Sequence, residues 1–188
     1  MANAIASEEL VIAMGKAGML ASFGAGGCSP ERIEQAILKI QAALPEGPYA
    51  FNLLNSPNEP AIEQRTAELY LKYAIHVVEA SAYLALTPAL VQYRAAGLSR
   101  TADGGVKISN RVIAKVSRKE TAKRFLEPAP QEILEKLAAE GKINAAQAEL
   151  ARLVPMADDI TVEADSGGHT DNRPLVGALP AILALRDE

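Results

Sequence analysis

The sequence has few of the residue types on which several common kinds of site depend. Of its 188 residues one is a cysteine, Cys28, so an internal disulfide is excluded and a reducing, cytoplasmic location is expected. The histidines are His76 and His169, and together with one thiol they give no spacing typical of zinc sites. No metal ion is therefore predicted.

The sequence also lacks an excess of either charge and any long apolar run. It has 19 basic and 23 acidic residues, a net charge of −4, and its lysines and arginines are scattered, which argues against nucleic-acid binding. No apolar stretch is long enough to cross a bilayer, and no signal-peptide pattern opens the chain. A soluble protein without a nucleic-acid or membrane partner is expected.

What is present is a regular alternation of helical and strand-like patterns. Apolar residues make up 49% of the chain, and short runs rich in valine and isoleucine indicate strands that begin near residues 19, 49, 75, 111 and 160. The stretches between them have helical spacing and helix-start signals, such as Ser29 before Pro30 and an S-x-x-E capping box at Ser117 and Glu120. Strands that alternate with helices predict parallel βαβ units.

Two α/β architectures fit this order, an open doubly wound sheet and a (β/α)8 TIM barrel. A complete barrel needs eight strands and about 250 residues, so five strands predict a partial barrel in a single domain, 1–188. The longer gaps hold a segment with a turn at Asp103–Gly105 and a helical insertion at 130–152. The open edges of such a barrel would be covered by another chain, for example in a homo-oligomer.

In both architectures ligands bind at the carboxyl ends of the strands, so the residues after each strand are site candidates. Gly24 and Gly26 follow the first strand and would let the backbone approach a ligand closely, although an ordinary glycine-rich turn is the alternative. Asn52 lies in an apolar strand, where a buried amide requires partners. Those partners are either a ligand such as a flavin ring edge or a neighbouring strand.

Charged and reactive side chains on other strands leave similar alternatives. Lys115 is costly to bury unpaired, and its partner is predicted to be Glu79, Glu163 or a bound anionic cofactor. His76 is interpreted as a core histidine, and Cys28 as an incidental loop residue.

The segment from Glu163 to Arg173 is the most informative part of the sequence. Within eleven residues after the last strand it offers two glycines, a histidine, carboxylates, an amide and an arginine. His169 can transfer protons near neutral pH, and Gly167 and Gly168 would let the backbone pack on a flat ring. This concentration indicates a catalytic loop.

Extended to Pro174, this segment resembles the signature loop of the trans-acting enoyl reductases of polyunsaturated fatty acid and polyketide synthases. That group, often called the PfaD family, belongs with the nitronate monooxygenases (2-nitropropane dioxygenases), whose loop has a shorter E-A-G-G-H form. The resemblance covers essentially the whole chain. Five further segments match and occur in the same order as in the family, namely residues 5–11, 23–27, 47–53, 78–82 and 113–118.

The resemblance implies a TIM barrel that holds FMN at the carboxyl ends of its strands. By motif position, Asn52 would hydrogen-bond the flavin ring, and Lys115 would lie near the flavin N1/O2 edge, where positive charge stabilises the reduced ring. His169 matches the family's catalytic histidine. The other cofactor contacts implied in this way are Gly24, Gly26, Asp165, Gly167 and Gly168.

The reaction implied by the resemblance is reduction of an enoyl thioester on an acyl carrier protein, a step of polyunsaturated fatty acid or polyketide biosynthesis. NADPH would reduce FMN, FMN would pass hydride to the β-carbon, and His169 or a water would give the α-carbon its proton. The partners would be the carrier protein and other synthase components. Residues that could form a basic docking patch are Arg111, Arg118, Lys119, Lys123 and Arg124.

Family members extend beyond both ends of this sequence, which is therefore expected to be a central fragment of the barrel. Two alternatives to the reductase stay open at this point. One is a nitronate monooxygenase-like flavin oxidase on the same scaffold, and the other is a non-catalytic, truncated barrel fragment.

Overall fold

The computed structural model describes residues 2–164 and 174–186, along which helices and strands alternate as predicted. Its α-helices are α1 (Glu8–Lys16), α2 (Pro30–Ala43), α3 (Pro60–Lys72), α4 (Pro88–Ala96), α5 (Lys119–Leu126), α6 (Gln131–Ala139), α7 (Ala145–Ala151) and α8 (Leu175–Leu183). Its strands are β1 (Ser22–Phe23), β2 (Ala50–Leu54), β3 (Val77–Ser81), β4 (Leu98–Arg100), β5 (Val106–Ile108), β6 (Arg111–Val116) and β7 (Asp159–Val162).

Five of these strands form one parallel sheet in the order β1-β2-β3-β6-β7. The spatial order follows the chain order, whereas a doubly wound sheet reverses its strand order at a switch point. In β6 the residues alternate, with Val112 and Ala114 buried and Lys115 only partly covered. One face of the sheet is therefore packed against helices, and the arrangement is an arc of a barrel, as predicted.

The third strand begins two residues later than its sequence predicts. Ala74 adopts a left-handed backbone conformation (φ 51°), and Ile75 N–H donates back to the Tyr70 carbonyl at 2.9 Å, which closes α3. Residues 74 and 75 therefore belong to a helix end, and β3 runs on to Ser81. Ser81 is thereby brought to the carboxyl edge of the sheet beside β2.

The segment between α4 and β6, for which the sequence predicts only a turn, is an antiparallel hairpin of β4 and β5. Gly104, with a φ of 86°, supplies the left-handed residue at its tip. The hairpin joins the end of α4 to the start of β6, so it lies at the amino edge of the main sheet.

The capping box predicted at Ser117 and Glu120 is wrong. The helix α5 begins at Lys119, its N-cap is Arg118 instead of Ser117, and the Arg118 side chain makes no capping hydrogen bond. By contrast, Ser29 caps α2 as its sequence predicts, since its Oγ accepts from the Arg32 N–H at 3.3 Å.

A buried arginine joins the helical layer to the sheet. Arg94 of α4 is 1% exposed, and its guanidinium donates to Asp158 Oδ2 at 2.7 Å and to the Asn110 carbonyl at 3.0 Å. The helices α6 and α7 pack against α4 beyond it. None of the described helices combines the length and apolar character that spanning a bilayer requires.

Candidate functional site

A pocket with a volume of about 430 Å³ lies at the carboxyl ends of β1 and β2. It opens between the β1–α2 turn and the first turns of α3, and it is the place where the sequence predicts ligand binding. Two residues predicted as cofactor contacts, Gly26 and Asn52, line it together with Cys28.

Asn52 serves both the sheet and the pocket. It is 5% exposed, and its Nδ2 donates to the Glu79 carbonyl at 3.0 Å and to Ser81 Oγ at 2.8 Å. The partners of this buried amide are therefore atoms of the neighbouring strand, which is one of the two alternatives that the sequence left open. Its Oδ1 accepts no hydrogen bond from the described residues and lies beside Gly26, where a Cβ would be 3.6 Å away. The pocket therefore contains an open acceptor.

The glycine-containing turn between β1 and α2 is hydrogen-bonded to the N-terminal segment of the chain. Ala4 N–H donates to the Gly24 carbonyl at 2.9 Å, and Gly24 N–H donates to the Ala6 carbonyl at 3.0 Å. Gly24 therefore has both backbone groups engaged, and, unlike Gly26, it is not among the residues that line the pocket. Gly26 faces the pocket itself, and a side chain there would press on Leu54 at 3.0 Å.

Lys115 meets both carboxylates that the sequence offered as partners. Its Nζ lies 3.2 Å from Glu163 Oε1 and 3.6 Å from Glu79 Oε1, and all three side chains are about one-fifth exposed. One ammonium between two carboxylates leaves this trio with a net negative charge. Because the Glu79 carbonyl also holds Asn52, the two predicted flavin contacts share one neighbour.

Four of the predicted site residues lie outside the described residues, and they are Asp165, Gly167, Gly168 and His169. The chain enters this stretch after Glu163 and Ala164, at the carboxyl end of β7, and leaves it at Pro174, the N-cap of α8.

A buried carboxylate that the sequence interpretation missed supports the pocket wall. Glu63 of α3 is 3% exposed, and it accepts hydrogen bonds from Asn55 Nδ2 and the Tyr83 hydroxyl, each at 3.0 Å, and from the Thr87 hydroxyl. It thereby joins the loop after β2 to the loop after β3. The available signal was its place on the buried face of α3, three residues before Thr66.

Tyr83 remains a hydrogen-bond donor in this network. Burial raises the pKa of its phenol well above the ordinary value, and the nearby Glu63 carboxylate raises it further. The residue before it, Ala82, has a left-handed backbone (φ 63°) that is uncommon for alanine. The turn after β3 is therefore held in a strained conformation at the carboxyl edge of the sheet.

Two further sequence interpretations are changed by the structure. His76 is exposed rather than buried in the core, and its Nδ1 lies 3.4 Å from Asn110 Oδ1 at the amino edge of the sheet. Arg111, the first residue of β6, is at that same edge, whereas α5 begins at the carboxyl edge. The proposed basic patch is thus divided between opposite ends of the sheet.

Over its whole length the chain is similar to segments of larger proteins of polyunsaturated fatty acid and polyketide biosynthesis. It is 59% identical over 187 residues to a polyunsaturated fatty acid synthase subunit of Thraustochytrium sp., covering 100% of this chain and 12% of that protein. It is 48% identical over 189 residues to the polyketide biosynthesis protein PksE of Bacillus subtilis, covering 100% of this chain and 25% of PksE. The chain therefore spans a minor part of each relative. No family model matches it.

A solved structure matches the fold over the same extent. The enoyl reductase domain of MlnA, from the macrolactin biosynthesis cluster of Bacillus amyloliquefaciens, superposes with a TM-score of 0.94 and 39% sequence identity. The match covers 100% of this chain and 42% of that domain chain. The resemblance found in the motifs is thus confirmed: the chain is homologous to segments of polyunsaturated fatty acid and polyketide synthase proteins and has the fold of part of an enoyl reductase domain.

Proposed function

We propose that this chain forms part of an FMN-dependent, NADPH-using enoyl reductase that acts on acyl carrier protein thioesters in polyunsaturated fatty acid or polyketide biosynthesis. The observation that carries the proposal is the match of this whole chain to 42% of the MlnA enoyl reductase domain chain, at 39% identity and a TM-score of 0.94. Bound FMN would supply hydride transfer from NADPH to the β-carbon of the enoyl thioester.

The pocket residues fit a flavin edge through Asn52. Both N–H groups of this amide are engaged by β3, so the side chain offers Oδ1 as an acceptor. A flavin pyrimidine ring carries an N–H beside carbonyl groups, and this donor can satisfy Oδ1. Gly26 has no side chain, so the space beside Asn52 Oδ1 stays open. A Cβ at Gly26 would lie 3.6 Å from that oxygen and 3.0 Å from the Leu54 side chain.

Lys115 would provide positive charge to the same ring. Its ammonium is divided between Glu79 and Glu163, so an anionic ring must share it with two carboxylates. We infer that these carboxylates moderate the charge that Lys115 presents to the ring and hold its side chain in place. His169, outside the described residues, is assigned proton donation to the α-carbon, either directly or through a water.

Flavin binding is the first test of this proposal. The purified chain is titrated with FMN while the visible absorption bands are recorded, and the wild type is expected to saturate with perturbed bands. Asn52→Leu removes the open acceptor and should weaken binding at least about tenfold. Asn58→Leu, which removes an exposed amide from the loop after β2, is the matched control and should bind as the wild type does.

Turnover separates the reductase from an oxidase. A flavin-loaded reductase consumes NADPH with an enoyl thioester and does not consume oxygen with a nitronate. Stoichiometric flavin without either activity would leave the reductase proposal unsupported. A folded wild-type chain that binds no flavin at high micromolar FMN would contradict the proposal for this chain.

A further inference from the structure

The turn after β3 holds a large apolar side chain out in the solvent. Leu84 is 61% exposed, although its neighbour Tyr83 is buried and donates to Glu63. Ala82, which precedes Tyr83, has the left-handed backbone described above. Strained and buried residues thus fix the position of Leu84 at the carboxyl edge of the sheet, and strain of this kind is found mainly at functional places.

Two contacts join this turn to α5. The buried rings of Tyr83 and Phe125 meet edge to face, with their centroids 6.1 Å apart. At the exposed side of α5, Arg124 Nη1 donates to the Leu84 carbonyl. The Arg124 guanidinium is therefore held beside the turn that presents Leu84, and the two residues belong to one surface.

The exposed side of α5 adds positive charge to this surface. Lys123 is more than half exposed, and its Nζ lies 3.9 Å from Glu127 Oε1, which is a weak surface pairing. Residues 118–127 include four basic and two acidic residues, whereas residues 80–91 have no charged side chain and the whole chain has a net charge of −4. The name α5 surface is used below for four exposed residues, Leu84, Lys123, Arg124 and Leu126.

We propose that the α5 surface docks the acyl carrier protein that bears the thioester substrate, and this choice of partner rests on the proposed function. Carrier proteins are acidic, and an anionic phosphodiester joins their pantetheine arm to the protein, so their charge complements Lys123 and Arg124. Apolar side chains surrounded by polar groups are typical of surfaces that bind proteins. A carrier protein docked here lies at the carboxyl edge of the sheet, where the pocket is also found.

The basic residues at the other end of the sheet do not meet this requirement. Lys107 of β5 and Arg111 of β6 lie at the amino edge. A carrier protein bound there would have to pass its thioester along the whole length of the strands. Lys107 is exposed and therefore offers a control in which the same charge change is made at the opposite end.

Direct binding tests the charged part of the surface without any turnover. The probe is a fluorescently labelled acyl carrier protein of a polyunsaturated fatty acid synthase that bears a crotonyl thioester, and its anisotropy is recorded as the chain is added. Lys123→Glu and Arg124→Glu should each weaken binding at least about fivefold, and added salt should weaken binding by the wild type. Lys107→Glu should bind as the wild type does.

Leu84→Ser tests the apolar part of the surface against a matched control. Leu153, which follows α7, is 63% exposed, so Leu153→Ser removes a similar side chain elsewhere. Leu84→Ser should weaken binding at least about threefold, and Leu153→Ser should not. Arg124→Glu also loses the bond to the Leu84 carbonyl, so Lys123→Glu decides whether charge itself matters. A wild type that does not bind the probe, or that binds it no better than Lys123→Glu and Leu84→Ser, would overturn the proposal.

A small thioester separates docking from the proposed reaction. Crotonyl-N-acetylcysteamine has no phosphate and no carrier protein, so the Lys123 and Leu84 variants should keep the wild-type KM for it and have a raised KM for the carrier protein thioester. Failure to bind FMN or to reduce either thioester would contradict the proposed function, and the anisotropy measurements would still decide the docking surface. Variants that lose self-association but bind the probe normally would show that a second copy of the chain occupies the surface, which would overturn the proposal.

Discussion

Asn52 shows how one side chain can serve the fold and a ligand site at once. Its amide donors join β2 to β3, while its oxygen faces the pocket. The pairing also fixes which atom is offered, since the Glu79 carbonyl can only accept a hydrogen bond and therefore requires the NH₂ group of Asn52. A strand-to-strand bond thereby sets the polarity of the group that a ligand meets.

Ala74 is the clearest case of a residue whose backbone conflicts with its side chain. It occupies the left-handed position that ends α3 (φ 51°), where glycine is favoured. Ala74→Gly should therefore raise the free energy of unfolding by about 0.5–1 kcal/mol. Urea denaturation measures this change. Ala42→Gly, at an exposed site inside α2, should lower it by a similar amount, and stabilisation by both variants would contradict the explanation.

Glu8 and Arg32 link α1 to α2 through a paired contact that depends on pH. The Arg32 guanidinium donates to both Glu8 oxygens, at 2.5 and 2.8 Å, and this bonding lowers the pKa of the Glu8 carboxyl. A lowered folded-state pKa stabilises the protein above the unfolded value of about 4.3, and this stabilisation is lost as pH falls through the folded value. Glu8→Gln should therefore lose about 1 kcal/mol of stability at pH 7 and little in acid.

Denaturation curves at neutral and acidic pH test this expectation against Glu46→Gln, which changes an exposed carboxyl. A Glu8→Gln penalty that stays constant into acid would mean that charge plays no part in the contact.

At the scale of elements, the loops after β2 and β3 behave as one unit because Glu63 binds both. Asn55 and Tyr83 donate to different oxygens of its carboxylate, so a single buried group fixes two loops that are far apart in the chain. Loops at the carboxyl edge of a sheet are commonly mobile. Here both loops are tied to Glu63, which itself lines the pocket.

Glu63→Gln should make the loops after β2 and β3 more mobile. The amide replaces one accepting oxygen with a donor, so one set of its hydrogen bonds is lost, at a cost of about 1–3 kcal/mol. Amide hydrogen exchange should rise in residues 53–57 and 81–87 more than in the distant β4–β5 hairpin. Glu68→Gln, at an exposed site on the same helix, is the control and should leave both regions unchanged. A uniform rise across the chain would indicate general destabilisation instead.

At the scale of the whole molecule, the described residues form an open arc, in which β1 and β7 each pair with a neighbour on one side. Beside β7, α8 buries Ala178 and Ile182 and exposes another apolar face. That face includes Val176, which is 85% exposed, together with Leu175, Leu179 and Leu183. Apolar patches of this kind next to an unpaired strand edge favour association.

The isolated chain should therefore self-associate as its concentration rises. Val176→Glu should reduce the average mass measured by light scattering after gel filtration, because it places a charge on this patch. Leu38→Glu, which changes an exposed leucine on α2, should not have that effect. If the chain is a monomer at every concentration, the exposed apolar face of α8 does not drive association, and the prediction is wrong.

The sequence predicted the arc well because it is determined by local patterns. Apolar runs and caps such as Ser29 identified the strand and helix order, and the first short strand and the end of α3 were the least accurate boundaries. At the site, Asn52 and Gly26 came to one pocket as expected, and Lys115 met both predicted carboxylates. His76 was wrongly interpreted as a core residue. Its apolar neighbours in the sequence do not show that it precedes β3 and that its side chain faces water.

By itself, the sequence determined the alternation of elements, the parallel sheet and the synthase family resemblance, since periodicity, caps and motifs are properties of adjacent residues. The tertiary structure alone decided which atom of Asn52 faces the pocket, that Glu63 joins two loops, and that Cys28 shares that pocket. These features depend on contacts between residues far apart in the chain. Such contacts are set by strand register and by the packing of helices, which no local pattern specifies.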